Sequence, residues 1–203
     1  MRSFTDEERE IIRRNIIDRG KDCFARYGVK KTGIEDLTEG MGIAKSSFYS
    51  FFESKEDLFL QIFKEEQEAL RDSILENSFL KYRTEPDKAI RAYLRYILHI
   101  VDNHPIWRKV FIEREQLELK ISQSSEEEIK KICSDNVATI LPFFEEWAAA
   151  GLLIDKPARI LAETIQAVLS LIHFRNEIEA GDFPEIMEVF IDLLAENIVK
   201  RSD

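Results

Sequence analysis

Three features of these 203 residues predict an all-α chain: only five prolines and seven glycines, no β-branched alternation, and apolar residues recurring at spacings of three and four almost throughout. Helix starts are also legible. A Thr, Ser or Asp followed three residues later by Glu supplies side chains for the orphan N–H groups of a first turn. Thr5/Glu8, Thr32/Glu35, Ser125/Glu128 and Asp182/Glu185 fit that pattern, and Ser54/Asp57 is a shorter-armed version.

In chain order, a first helix is expected from Asp6 to Tyr27, with Ile12, Ile16, Gly20, Cys23, Phe24 and Tyr27 on one face and Gly28 as the glycine that stops it. A short second helix starts near Gly33, buries Ile34, Leu37 and Met41, and ends at Gly42. A third spans about 44 to 52. Ser54 caps a long fourth helix that carries Leu58, Phe59, Ile62, Phe63, Ala69 and Leu70 into the late seventies. Pro86 opens the next, with Ile90, Tyr93, Leu94, Ile97 and Val101 in register as far as His104-Pro105. A short helix then carries Trp107, Phe111 and Arg114. Ser122 to Ser125 reads as a loop before a helix from Glu126 to about Ala150, kinked at Pro142 and ended by Gly151. Two last helices, near 157–178 and 184–200, are separated by Gly181-Asp182.

Composition, 44% hydrophobic and 33% charged, suits a soluble globular protein with a sizeable core. No run of about 18 apolar residues predicts a membrane span, and the N-terminus lacks the apolar stretch of a signal peptide, so a cytoplasmic address is expected. Cys23 and Cys133 read as buried small apolar residues. Net charge is −10, which argues at first against a polyanionic partner. Its distribution weakens that objection: residues 1–60 carry −1 and residues 61–203 carry −9, and Lys45 is the sole charged side chain between 42 and 52. That short segment can approach phosphate without repulsion of its own making.

Two short helices joined by a tight glycine turn, behind a longer first helix, form the helix-turn-helix pattern, whose second helix enters the major groove. Between 44 and 52, Phe48, Phe51 and Phe52 make an inward cluster, leaving Lys45, Ser46, Tyr49 and Ser50 facing outward. Small hydroxyl side chains allow close approach to base edges, and the lysine supplies a charge-assisted contact.

The stretch Gly28-Val29-Lys30-Lys31-Thr32-Gly33-Ile34-Glu35-Asp36-Leu37, followed by GIAKSSFYSFFESKEDLF at 42–59, resembles the DNA-binding signature of the TetR (tetracycline-repressor) family. Tyr49, Phe52, Lys55 and Leu58 stand at its fixed offsets, and the match covers about 50 residues. The resemblance implies a helix-turn-helix domain over 1–55 and a helical ligand-binding and dimerisation domain over 56–203. It makes Thr32 the cap of the second helix and a phosphate contact, with Gly33 beside it also a DNA-binding residue. Lys45, Ser46, Ser47, Tyr49 and Ser50 become the recognition surface, and Lys55 a further phosphate contact. Three positions depart from the pattern: Ala44 replaces a capping Ser or Thr, Ser46 a common glycine, and Phe51 a Tyr or His.

Beyond residue 60 no catalytic or metal-ligating constellation appears, since His99, His104 and His173 lack partners at ligand spacing. Neither an enzyme nor a cofactor is expected. Aromatic material in the middle helices offers a pocket for an apolar or aromatic effector: Phe63, Tyr93, Tyr96 and Trp107, then Phe111, Phe143, Phe144 and Trp147. Arg95, Glu113 and Arg114 are possible polar anchors. Apolar rows on the last two helices, including Ile165, Leu169 and Ile172, then Phe190 and Leu194, match a family in which such helices meet a symmetry mate as a four-helix bundle. The implied molecule is a homodimer that binds a palindromic operator in double-stranded DNA and releases it when an effector binds. The competing reading is a helical ligand-binding or interaction module that does not bind DNA.

Overall fold

The computed structural model describes residues 4–112, 123–178 and 181–200, and the side chains of all these except 123–134, His173 and Asn176. The expectations for Glu113, Arg114, the Cys133 side chain and the His173 ring lie outside that set. Among the described residues the chain is helical, and its extended pairing is the isolated bridge Leu153–Val199.

Helix α1 (Asp6–Lys31) begins with the predicted capping box: Thr5 Oγ1 accepts from Glu8 N, and Thr5 N donates to the Glu8 carboxylate. Gly28 breaks it at φ 76, where a side chain would be strained, so the regular helix ends at Tyr27 as expected and a short turn follows. Tyr27 itself is exposed rather than on the buried face. Helix α2 is only Ile34–Thr38, because Gly40 and Gly42 both take positive φ and turn the chain early. The recognition helix, Lys45–Ser50, is wound as a 3-10 helix. Helix α3 (Lys55–Asn77) starts where Asp57 N donates to Ser54 Oγ at 3.0 Å. It buries Leu58, Phe59, Ile62 and Phe63 as predicted but leaves Ala69 exposed.

Helix α4 (Pro86–Asn103) and α5 (Pro105–Phe111) meet at the predicted His104-Pro105 junction. Helix α6 (Gln123–Ala149) already includes Gln123 to Ser125, where a loop was expected; the expected Ser125/Glu128 cap rests on side chains outside the described set. Pro142 lies inside the helix, and Gly151 at φ 72 follows its end. Helix α7 (Ala158–Leu169) passes into a 3-10 segment, Ser170–Glu177, before α8 (Asp182–Ile198). Gly181 rather than Asp182 occupies the cap position of α8, and no side chain bonds there.

The chain forms two compact units: Met1–Gln67 with Pro105–Glu126, and Glu68–His104 with Glu127–Asp203. In the first, α1 packs on α2 and α5, and α2 packs on the recognition helix. Phe24 meets Phe59 edge-on at 5.6 Å, and a Cβ on Gly20 would stand 2.9 Å from Ile62 Cδ1, which explains why glycine lies at this crossing. In the second, α4 packs on α7 and α8. Ion pairs line the α4–α8 seam, Arg95 with Glu188 at 2.6 Å and Arg91 with Asp192.

The second unit is built around rings. Phe79, fully buried, stacks on Phe143 at 5.0 Å and on Trp147 at 5.6 Å and tilts against Tyr93 at 5.0 Å. Trp147 Nε1 donates to Arg83 O at 2.6 Å, and the Gln166 amide donates to the Tyr93 hydroxyl at 2.6 Å. Burial pushes the Tyr93 phenol up from 10.0 to about 12, against the smaller lowering by Gln166. A folded-state value above the unfolded one gives stability that is present below about pH 10 and is lost as pH rises toward 12. The loss should reach about 2–3 kcal/mol at most. Urea midpoints at pH 9 and pH 11.5 should therefore fall less far apart in Tyr93→Phe than in the wild type; equal falls would show that Tyr93 is not the titrating group.

Candidate nucleic-acid interface

The recognition helix has two opposite faces, and the reason is local. Phe48 is fully buried, its ring 5.7 Å from that of Phe52, which is 7% exposed. With these two anchored, Lys45, Ser46, Tyr49 and Ser50 stand on the exposed side, Tyr49 being 57% exposed, and Ser47 is intermediate. Phe51 differs from expectation. It is half-buried, beside Phe4 at 6.3 Å and beneath the Arg9 guanidinium at 5.1 Å.

Lys45 Nζ donates to Glu35 Oε1 at 2.6 Å, which holds the Glu35 carboxyl below and the Lys45 ammonium above their ordinary values. The bridge joins α2 to the recognition helix. Because both groups are exposed, a phosphate can exchange with the carboxylate at little cost. Ala44 offers no side-chain cap, in keeping with its departure from the family pattern.

Thr32 is placed differently from the expectation. It is 1% exposed, and its hydroxyl donates to Gly28 O at 2.7 Å, so it closes the end of α1. The cap position of α2 belongs to Gly33, whose N–H donates to Asp36 Oδ2 at 2.7 Å. Thr32 cannot cap α2 because its hydroxyl is turned back into the unit. Lys55 Nζ donates to Lys30 O at 3.1 Å and Thr32 O at 2.9 Å, fastening the start of α3 to the end of α1. One ammonium proton remains for a phosphate.

Arg9 was not singled out from sequence. Its Nη2 donates to Ser50 O at 2.9 Å, and Arg13, one turn on, lies 5.2 Å over Phe52. The i, i+4 spacing of two arginines on α1 was the available signal; which helix they faced was not.

The eight aromatic residues proposed for a pocket divide between the units. Phe63, Trp107 and Phe111 form a cluster in the first, with centroids 5.4–6.2 Å apart. Tyr93, Phe143, Phe144 and Trp147 surround Phe79 in the second, and Phe79 is the member that periodicity missed. Tyr96 shares a hydrogen bond with Ser73 at 2.8 Å. Of the five interface candidates, Ile165 and Ile172 are buried within the chain, Leu169 and Leu194 are half-buried, and Phe190 is exposed. Ile160, Phe174, Val189 and Leu193 are exposed as well, at 50–58%.

A small helical unit that exposes one hydroxyl-rich helix above a glycine turn defines a helix-turn-helix protein. Residues 16–62 match the family model for bacterial regulatory proteins of the tetR family. The HTH-type transcriptional regulator AcrR of Shigella flexneri is 26% identical over 94 residues, 46% of this chain and 43% of that one, so the chain aligns with less than half of that relative. A TetR-family transcriptional regulator from Pectobacterium atrosepticum shares the fold, with a TM-score of 0.72 at 17% identity, over 98% of this chain and 100% of that one. RolR, solved in complex with resorcinol, does so with a TM-score of 0.65 at 18% identity, over 97% and 92%. Residues 16–62 are thus similar to bacterial regulatory proteins of the tetR family, and the chain shares its fold with a solved TetR-family regulator. None of its described helices is long and apolar enough to cross a membrane.

Proposed function

We propose that this chain is a ligand-responsive repressor that binds a palindromic operator in double-stranded DNA as a homodimer, without enzymatic activity. The observation that carries this reading is the outward row Lys45, Ser46, Tyr49 and Ser50, held by Phe48 and Phe52 on a helix narrow enough for the major groove. Residues 1–55 are the DNA-binding part in this reading, and residues 56–203 serve effector binding and dimerisation. Exposed Ile160, Val189, Phe190 and Leu193 on α7 and α8 supply a face for a second copy, which a two-fold operator requires. A partner on that face leaves Ile165 and Ile172 in the monomer core. The effector is small and apolar or aromatic, in keeping with the ring clusters; RolR holds an aromatic ligand in the same fold.

Footprinting on DNA from upstream of the chain's own gene is the test. Protection of two half-sites one helical turn apart, about 34 Å, is expected. Tyr49→Ala should lower operator affinity at least about tenfold, the size of one good base or phosphate contact, and leave the melting temperature near that of the wild type. No footprint at low salt would favour the module that does not bind DNA.

A further inference from the structure

We infer that Trp107 is the hydrogen-bond donor of the effector site, and that the effector is a neutral aromatic molecule carrying a carbonyl acceptor, held against Phe63 and Phe111; this rests on the ligand-responsive reading above. Trp107 is 5% exposed, and its indole Nε1 is buried with no hydrogen-bond partner among the described residues. Trp147 shows the ordinary arrangement, its Nε1 donating to Arg83 O at 2.6 Å. A buried donor without an acceptor is costly, and native proteins keep few of them. Phenylalanine would offer a flat ring at this position without that cost. In this assignment the effector supplies the acceptor that no described residue provides.

The surroundings define its chemistry. The Trp107 ring lies 5.7 Å from Phe63 and 5.4 Å from Phe111, at interplanar angles of 51° and 32°, surfaces suited to the face and edge of another aromatic ring. Ile106 and Val110, on either side along α5, are buried, as is Ile62 beside Phe63. A charged ligand would lose its hydration among such groups, whereas one carbonyl oxygen satisfies one indole N–H. Helix α5 packs on α1 within the same unit, and α1 holds Ser50 through Arg9. A molecule inserted at Trp107 thus acts on the scaffold of the recognition helix.

Acetophenone and cumene, alike in shape but with and without the carbonyl, are the probes. The two indole N–H resonances of ¹⁵N-tryptophan-labelled protein are assigned with Trp107→Phe, a variant that keeps a ring. Acetophenone at millimolar concentration should move the Trp107 resonance downfield and leave that of Trp147 in place. It should bind about three- to tenfold more tightly than cumene, the range of one net hydrogen bond, and Trp107→Phe should abolish that preference. An unmoved Trp107 resonance, or an equal preference in the variant, overturns the site. Operator binding by the wild type before acetophenone is added separates the two readings: absent, it overturns the regulator and with it the effector role; present beside an unmoved resonance, it overturns the site alone.

Discussion

Val189→Asp combined with Leu193→Asp is expected to turn the dimer into a folded monomer that no longer holds its operator. The two residues are one turn apart on α8 and are 58% and 54% exposed in the single chain, so a carboxylate at either position is fully hydrated in the monomer. Pressed against a second copy, the same carboxylates lose water without gaining a partner, at a cost of several kcal/mol each. Across a two-fold interface the introduced carboxylates also stand near their symmetry mates, and these like charges repel. Sedimentation velocity should show the monomer mass, thermal unfolding should stay cooperative, and operator affinity should drop by orders of magnitude because each monomer reads only one half-site. An unchanged dimer mass would remove this face from the assembly. Aspartate at Ile165 or Ile172 should instead prevent folding, because both side chains are at most 2% exposed within the chain.

The second large effect belongs to Phe48. Replacing this fully buried ring by alanine removes its contacts with Phe52 at 5.7 Å and Tyr49 at 5.5 Å and leaves a void beneath the recognition helix. Large-to-small changes of this kind cost about 3–5 kcal/mol, a sizeable fraction of the roughly 5–15 kcal/mol that keeps a domain folded. Phe48→Ala should lower the urea midpoint strongly and abolish footprinting at temperatures where the wild type binds. Phe48→Leu, which keeps most of the apolar volume, should lose far less. A midpoint unchanged in the alanine variant would mean that the ring does not anchor the helix.

Much of this molecule is local. The Thr5 capping box, the break at Gly28, the start of α3 at Ser54 and the α4–α5 junction at His104-Pro105 each depend on a few adjacent residues, and periodicity suffices to read them. The two faces of the recognition helix were legible for the same reason: three phenylalanines among small polar residues admit one inward side, although Phe51 is only half-buried. Thr32 does not cap α2 as expected, because a threonine can cap forward or close backward. Gly28 O lies within reach once the chain kinks there, and the buried hydroxyl takes the acceptor that replaces water.

The sequence by itself determined the helical class, most helix boundaries, the exposed row Lys45, Ser46, Tyr49 and Ser50 and the TetR resemblance, since all follow from spacing, capping and residue type. Tertiary structure alone decided which rings meet. It placed Phe63, Trp107 and Phe111 in one unit and Tyr93, Phe143, Phe144 and Trp147 around Phe79 in the other. It also tied Lys55 to the carbonyls of Lys30 and Thr32 and left Trp107 without an acceptor among the described residues. Phe63 meets Trp107, and Phe79 meets Phe143, across more than forty positions of sequence. A side chain's apolarity says that it will be buried, but its partners depend on how helices cross, and crossing geometry is a property of packed surfaces rather than of any one segment.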